Sequence, residues 1–192
     1  MMLFTGFEPF TTGQGLVLSH NPTADIAQRV AGRLSDASFA VLPVSFSRTQ
    51  QRLTEQFDTH KPRLWIGMGY APHRTTLDLE VLAVNVEHCA SADNDGESPF
   101  MRPIVFGGPA AYQTCVDVPT AVDVFAQHNV TLSPAFHAGT FLCNQSFYVA
   151  CHRVHEGADL QMAAFLHVPP MDSYHALEDA LVAWAHELSR EV

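Results

Sequence analysis

Short apolar runs alternate along the chain with longer stretches whose apolar positions recur every three or four residues, the pattern of buried strands joined by amphipathic helices. Met2 to Thr5 reads as a first strand, followed by a turn-rich loop. Asn21-Pro22 offers an N-cap and a first-turn proline for a helix reaching about Leu34. Phe39-Ala40-Val41-Leu42 is a run of buried-strand type, Phe46 to Phe57 a helix, and Leu64-Trp65-Ile66-Gly67 another strand. Strand, helix, strand, helix, strand is the order of a parallel sheet covered on both faces. Leu and Val enrichment from Thr75 to Val86 predicts extended structure. Beyond it the pattern predicts a helix over Ala121 to Gln127, a short strand at Ala135-Phe136-His137, and a helix from Asn144 to His155 that begins directly after Cys143. Met162 to Val168 is a buried strand stopped by Pro169-Pro170. Ser173 to Arg190 is an amphipathic helix with Leu177, Leu181, Trp184 and Leu188 on one stripe. The expected fold is α/β, a single-domain α/β/α sandwich with a twisted, mostly parallel central sheet.

Composition narrows the setting. The 192 residues are 47% hydrophobic and 16% charged, and no repeat or low-complexity tract divides them, so one compact domain over 1–192 is expected. Ten Lys+Arg against 20 Asp+Glu leave a formal net charge of −10, which repels phosphate backbones and anionic membranes. Neither nucleic acid nor membrane is an expected partner. Met1 to Gly6 has no basic flank, and no apolar stretch approaches the roughly 20 residues that span a bilayer. Cys89, Cys115, Cys143 and Cys151 are too scattered for a disulfide scaffold and form no Cys-x-x-Cys pair, so they read as reduced thiols in a cytoplasm.

Three residues could carry chemistry. Glu80 lies in the apolar segment Leu77 to Val84, where an unpaired carboxylate is expensive, so it needs a partner. His167 sits at the carboxyl end of a strand, the edge at which open α/β sheets place ligands. Cys143 opens a helix, whose first-turn amides and dipole would favour a thiolate and could hold an oxyanion. A thiol, an imidazole and a buried acid fit nucleophilic acyl transfer. The residues alone leave open a packed cysteine, a core histidine bonded to a carbonyl, and a Glu80 paired with Arg74 or another base. His152, His155 and Glu156 share a helix face, but 11 histidines make such pairs common, and a solvated helix end is the simpler account. No metal or cofactor is expected.

The chain resembles the pyroglutamyl peptidase I family of cytoplasmic cysteine peptidases. Thr5-Gly6-Phe7-Glu8-Pro9-Phe10 matches the family's opening strand and loop, and Asn21-Pro22-Thr23 its Asn-Pro-Ser/Thr helix start. Glu80-Val81-Leu82-Ala83-Val84-Asn85 is similar to its glutamate segment, and Asp93-Asn94-Asp95-Gly96 and Gly108-Pro109-Ala110-Ala111-Tyr112 to two later loops. Ala138 to Asn144 resembles the nucleophile motif and Phe165-Leu166-His167-Val168-Pro169 the histidine motif. The resemblance implies Cys143 as nucleophile, His167 as general base and acid, and Glu80 orienting His167. It implies N-terminally pyroglutamylated peptides as substrates, with Phe7, Phe10, Phe141, Leu142 and Gly69 at the binding site, and a homo-oligomer, often a tetramer.

Some positions depart from the family pattern. Gly67 to Arg74 keeps an arginine but is longer than the family's Ala-Gly-Gly-Arg loop and lacks its paired glycines, and Gln113 to Val118 is also longer than its counterpart. Ala90 stands where an arginine is expected near the site. A divergent member is expected, either a weaker peptidase or an inactive relative that binds a small cyclic amide or a peptide N-terminus.

Overall fold

The computed structural model describes residues 1–11, 15 and 17–191. Strands β1 (Met2–Phe7), β2 (Ala37–Leu42), β3 (Leu64–Tyr70), β4 (Leu77–Glu80), β7 (Leu132–Ala135) and β8 (Met162–Val168) form one sheet in the order β2-β1-β3-β8-β4-β7. Its pairings are parallel except that β4 runs antiparallel to β8. Two further strands, β5 (Leu82–Val84) and β6 (Ala111–Gln113), pair separately as an antiparallel ribbon. Thr75 to Val86, expected as one extended stretch, is therefore divided between two sheets. Val81 is the crossover: its N–H donates to Ala135 in the large sheet, and its carbonyl accepts from Thr114 beside the ribbon.

Side chains alternate across each strand. Phe4, Ile66, Met68, Leu79, Ala164 and Leu166 face one core, closed by α1 (Pro22–Ala31), α3 (Val118–Gln127) and α5 (His175–Leu188). Leu3, Trp65, Ala163 and Phe165 face a second core, closed by α2 (Phe46–His60) and α4 (Leu142–His155). Both layers thus bury the apolar stripe of each helix against the sheet. The expected strand at Ala135 to His137 lies instead at Leu132 to Ala135, with Pro134 inside it. Strand β7 is an edge, where a residue without an N–H is tolerated. Among the described residues no helix is long and apolar enough to cross a membrane.

Candidate active site

The alternation that builds the second core also selects which side chains meet the start of α4. Trp65, Gly67 and Gly69 of β3 share a face with Phe165 and His167 of β8, and Gly69 pairs with His167 in the register. On β4, Leu77 and Leu79 take the other core, which leaves Asp78 and Glu80 on the His167 side. Cys143 is in the first turn of α4, which begins two residues earlier than expected, at Leu142. Phe141, the N-cap, supplies no side-chain bond to the first-turn amides. Asn144 anchors this turn instead: it is fully buried, accepts from the Val84 N–H at 2.9 Å and donates to the carbonyls of Val84 and Val86. The sequence signal for this role of Asn144 is a polar residue at a buried helix start, which must bond to something.

His167 Nδ1 lies 2.6 Å from Glu80 Oε1, and Glu80 is wholly buried. The same carboxylate oxygen receives Arg74 Nη1 at 2.9 Å, while that guanidinium also donates to Asp78 Oδ2 at 2.6 Å. Glu80 therefore meets two bases, His167 and Arg74, at one carboxylate oxygen. With Nδ1–H donated to Glu80, the neutral imidazole keeps Nε2 as its free base. Gly69 brings the thiol in: a Cβ there would sit 2.5 Å from Cys143 Sγ, so only glycine leaves the sulfur room. The thiolate expected at the helix start is not the resting form. Burial, and secondarily the charge of Glu80, push the Cys143 thiol up to about 12, against the opposing pull of Arg74 and the Cys143 backbone N–H. Burial also holds His167 below its ordinary value and outweighs the Glu80 carboxylate. For both groups burial, which disfavours the charged form, is the largest influence.

A cleft of about 840 Å³ runs over these groups. Phe7, Phe10, Gly69, Phe141, Cys143 and His167 all line it. Leu142 borders it too, but only 1% of Leu142 is exposed and its side chain belongs to the second core, so it can offer substrate little beyond backbone. Phe7 is held by the helix start: Thr23 Oγ1 accepts the Phe7 N–H at 3.1 Å and donates to the N-cap Asn21 at 2.8 Å. Ala90 lines the same cleft as Cys143 and is exposed, so the position is part of the cleft wall rather than of a remote loop. Of the nearby cations, Arg102 is paired with Glu87 and Glu97, the His88 ring packs on Phe100, and Arg74 alone of the three lines the cleft. His152 is engaged by the Tyr112 hydroxyl at 2.7 Å, with its ring stacked on Tyr148. Among the described residues no group of three His, Cys, Asp or Glu side chains could hold a metal ion.

The fold and the groups gathered at its edge place the chain among the α/β cysteine peptidases. It belongs, more narrowly, to the pyroglutamyl peptidase family, whose sequence profile matches residues 1–184. It is 31% identical over 171 residues to the pyrrolidone-carboxylate peptidase of Klebsiella pneumoniae, covering 88% of this chain and 77% of the relative. To that of Pyrococcus furiosus it is 32% identical over 171 residues, with 88% and 80% covered. A solved mutant of the Pyrococcus furiosus pyrrolidone carboxyl peptidase superposes with a TM-score of 0.88 at 29% identity, over 100% of this chain and 99% of that one. Pyroglutamyl peptidase I of Bacillus amyloliquefaciens gives 0.84 at 27% identity, over 95% and 93%.

Proposed function

We propose that this chain removes the N-terminal pyroglutamyl residue from peptides through a thioester on Cys143. The observation that carries the proposal is the 2.6 Å bond between His167 Nδ1 and the buried Glu80, in the cleft that also holds the Cys143 thiol. Because thiol and imidazole are both neutral at rest, His167 Nε2 takes the thiol proton as sulfur attacks the pyroglutamyl carbonyl. First-turn amides of α4 receive the oxyanion. The imidazolium, stabilised by Glu80, then protonates the leaving amine as the carbon–nitrogen bond breaks. Water, activated by the same nitrogen, releases pyroglutamate and restores the thiol. Phe7, Phe10 and Phe141 offer apolar walls suited to a neutral lactam ring. The homotetramer and the cytoplasmic setting implied by the family belong to the same proposal. Phe100, Met101 and Phe106, which are 80%, 63% and 95% exposed, offer apolar surface for a second copy, and light scattering would report the mass.

The test is hydrolysis of a chromogenic pyroglutamyl amide beside the matching prolyl amide, before and after prolonged thiol alkylation. Cleavage of the first alone, lost on alkylation, is expected. Equal cleavage of both, or full activity after Cys143 is alkylated, would remove the proposal.

A further inference from the structure

The cleft differs at its two ends. Strand β1 lies on one side of the central pair β3-β8, and β4 and β7 lie on the other. Phe7 closes β1 and Phe10 follows it, whereas His73 and Arg74 lie between β3 and β4 and His137 follows β7. Arg74 Nη2 donates to the His137 carbonyl at 3.3 Å and so joins those two loops. Cys143 and His167 stand between an aromatic end and a histidine end. A lactam ring seated among the phenylalanines would send the leaving amine toward the histidines.

The histidine end has uncommitted donors. The Gly139 N–H donates to His137 Nδ1 at 2.9 Å, so the neutral ring carries its proton on Nε2. Gly139 has φ +80, which presents that N–H at little cost only because the residue is glycine. His73 and His137 are both exposed, and among the described residues neither forms an ion pair. Arg74 is held by Asp78 and Glu80 and offsets one of their two charges, while both carboxylates are buried and neither lines the cleft. In a chain of net charge −10, no Asp or Glu is among the described residues lining the cleft. His73 also occupies the loop where the family pattern has paired glycines.

We propose that His73 and His137 select leaving groups that carry a carboxylate on the residue directly after the scissile amide. Such a carboxylate is either the terminus of a pyroglutamyl dipeptide, two bonds from the leaving nitrogen, or an Asp or Glu side chain at the second position. The proposal rests on the peptidase function proposed above. Its test compares kcat/KM for pyroglutamyl-alanine with that for pyroglutamyl-alanine amide, and for pyroglutamyl-glutamate amide with that for pyroglutamyl-glutamine amide. Wild type should prefer the charged member of one or both pairs by roughly fivefold to tenfold, the worth of one ordinary hydrogen bond at a solvent-exposed site. Which pair responds tells terminal from side-chain carboxylate. In His73→Ala/His137→Ala the ratio should fall toward one, while His137→Gln, which keeps a donor, should retain part of it. Ratios within one preparation do not depend on how much protein is folded. Equal rates in wild type, or an unchanged preference in the double variant, would overturn the selection and leave the peptidase function standing. No hydrolysis of any of the four would overturn both.

Discussion

Arg74 and His167 share one oxygen of Glu80, with Arg74 Nη1 at 2.9 Å and His167 Nδ1 at 2.6 Å from Oε1. The guanidinium therefore opposes the imidazolium that catalysis needs, while it holds the carboxylate that supports it. The Arg74 charge lowers both the His167 and the Cys143 values. Arg74→Met should move the acidic limb of kcat/KM to higher pH, because an imidazole without that cation is protonated more readily. Glu80→Gln should move the limb the opposite way and lower kcat by about 10²-fold or more, since the imidazolium loses its counter-charge. Arg74→Met should also lower Tm. Its cost stays below the roughly 3–5 kcal/mol of breaking a fully buried pair, as 20% of the Arg74 side chain is exposed. Superimposable acidic limbs for wild type and Arg74→Met would show that Arg74 does not act through Glu80.

Thiol labelling reads the resting state of Cys143. A thiol pushed up to about 12 presents little thiolate near neutrality. Intact-mass labelling with iodoacetamide at pH 7 should modify exposed Cys115 first, with Cys143 slower and its rate still climbing above pH 9. Cys151, buried on α4 and with its thiol raised by burial, should resist. Labelling of Cys143 ahead of Cys115 at pH 7 would instead mean a preformed thiolate.

Much of the fold was legible because its strands are apolar on both faces and end on recognisable breakers. Met162 to Val168 was bounded correctly by Pro169, and Asn21-Pro22 marked the start of α1. Strand β7 was misplaced because Pro134 reads as a breaker and only an edge position permits it. The antiparallel β4 and the ribbon partner β6 depend on pairings that no local pattern encodes. At the site, the apolar setting of Glu80 demanded a partner; the residues alone offered Arg74 and the family resemblance His167, and the carboxylate meets both. The thiol was misjudged because a helix start is visible in sequence, whereas the desolvation that outweighs it is a property of packing.

Gly69 fixes the place of the sulfur. A Cβ at this position would meet Cys143 Sγ at 2.5 Å and the Phe165 ring at 3.1 Å. Gly69→Ala should displace the thiol within the cleft it shares with His167 and lower kcat by about 10²-fold, the scale expected for misplacing a reacting group by an ångström. Overpacking should destabilise by about 1–3 kcal/mol, read as a lower Tm with a cooperative transition retained. Near wild-type kcat would show that the nucleophile does not depend on this close approach.

Ala90 tests whether a cation is the missing element of the cleft. Its side chain is a methyl group in an exposed position on the cleft lining, so a longer residue has room there. Ala90→Arg would place an always-charged group in the cleft that holds a thiol raised by burial and by Glu80. A positive charge favours the thiolate and disfavours the imidazolium, so the Cys143 and His167 values should both fall. The acidic limb of kcat/KM should then move to lower pH, and hydrolysis of a pyroglutamyl amide at pH 7 should rise by about threefold to tenfold, equivalent to roughly half to one pK unit of thiol stabilisation. The competing outcome is capture of the new guanidinium by Asp93 or Glu97 in the adjoining loop, which would leave both limbs unchanged. Ala90→Met, similar in length without the charge, separates the field from the bulk: a gain shared by Met and Arg would defeat the electrostatic account, and a gain confined to Arg would support it.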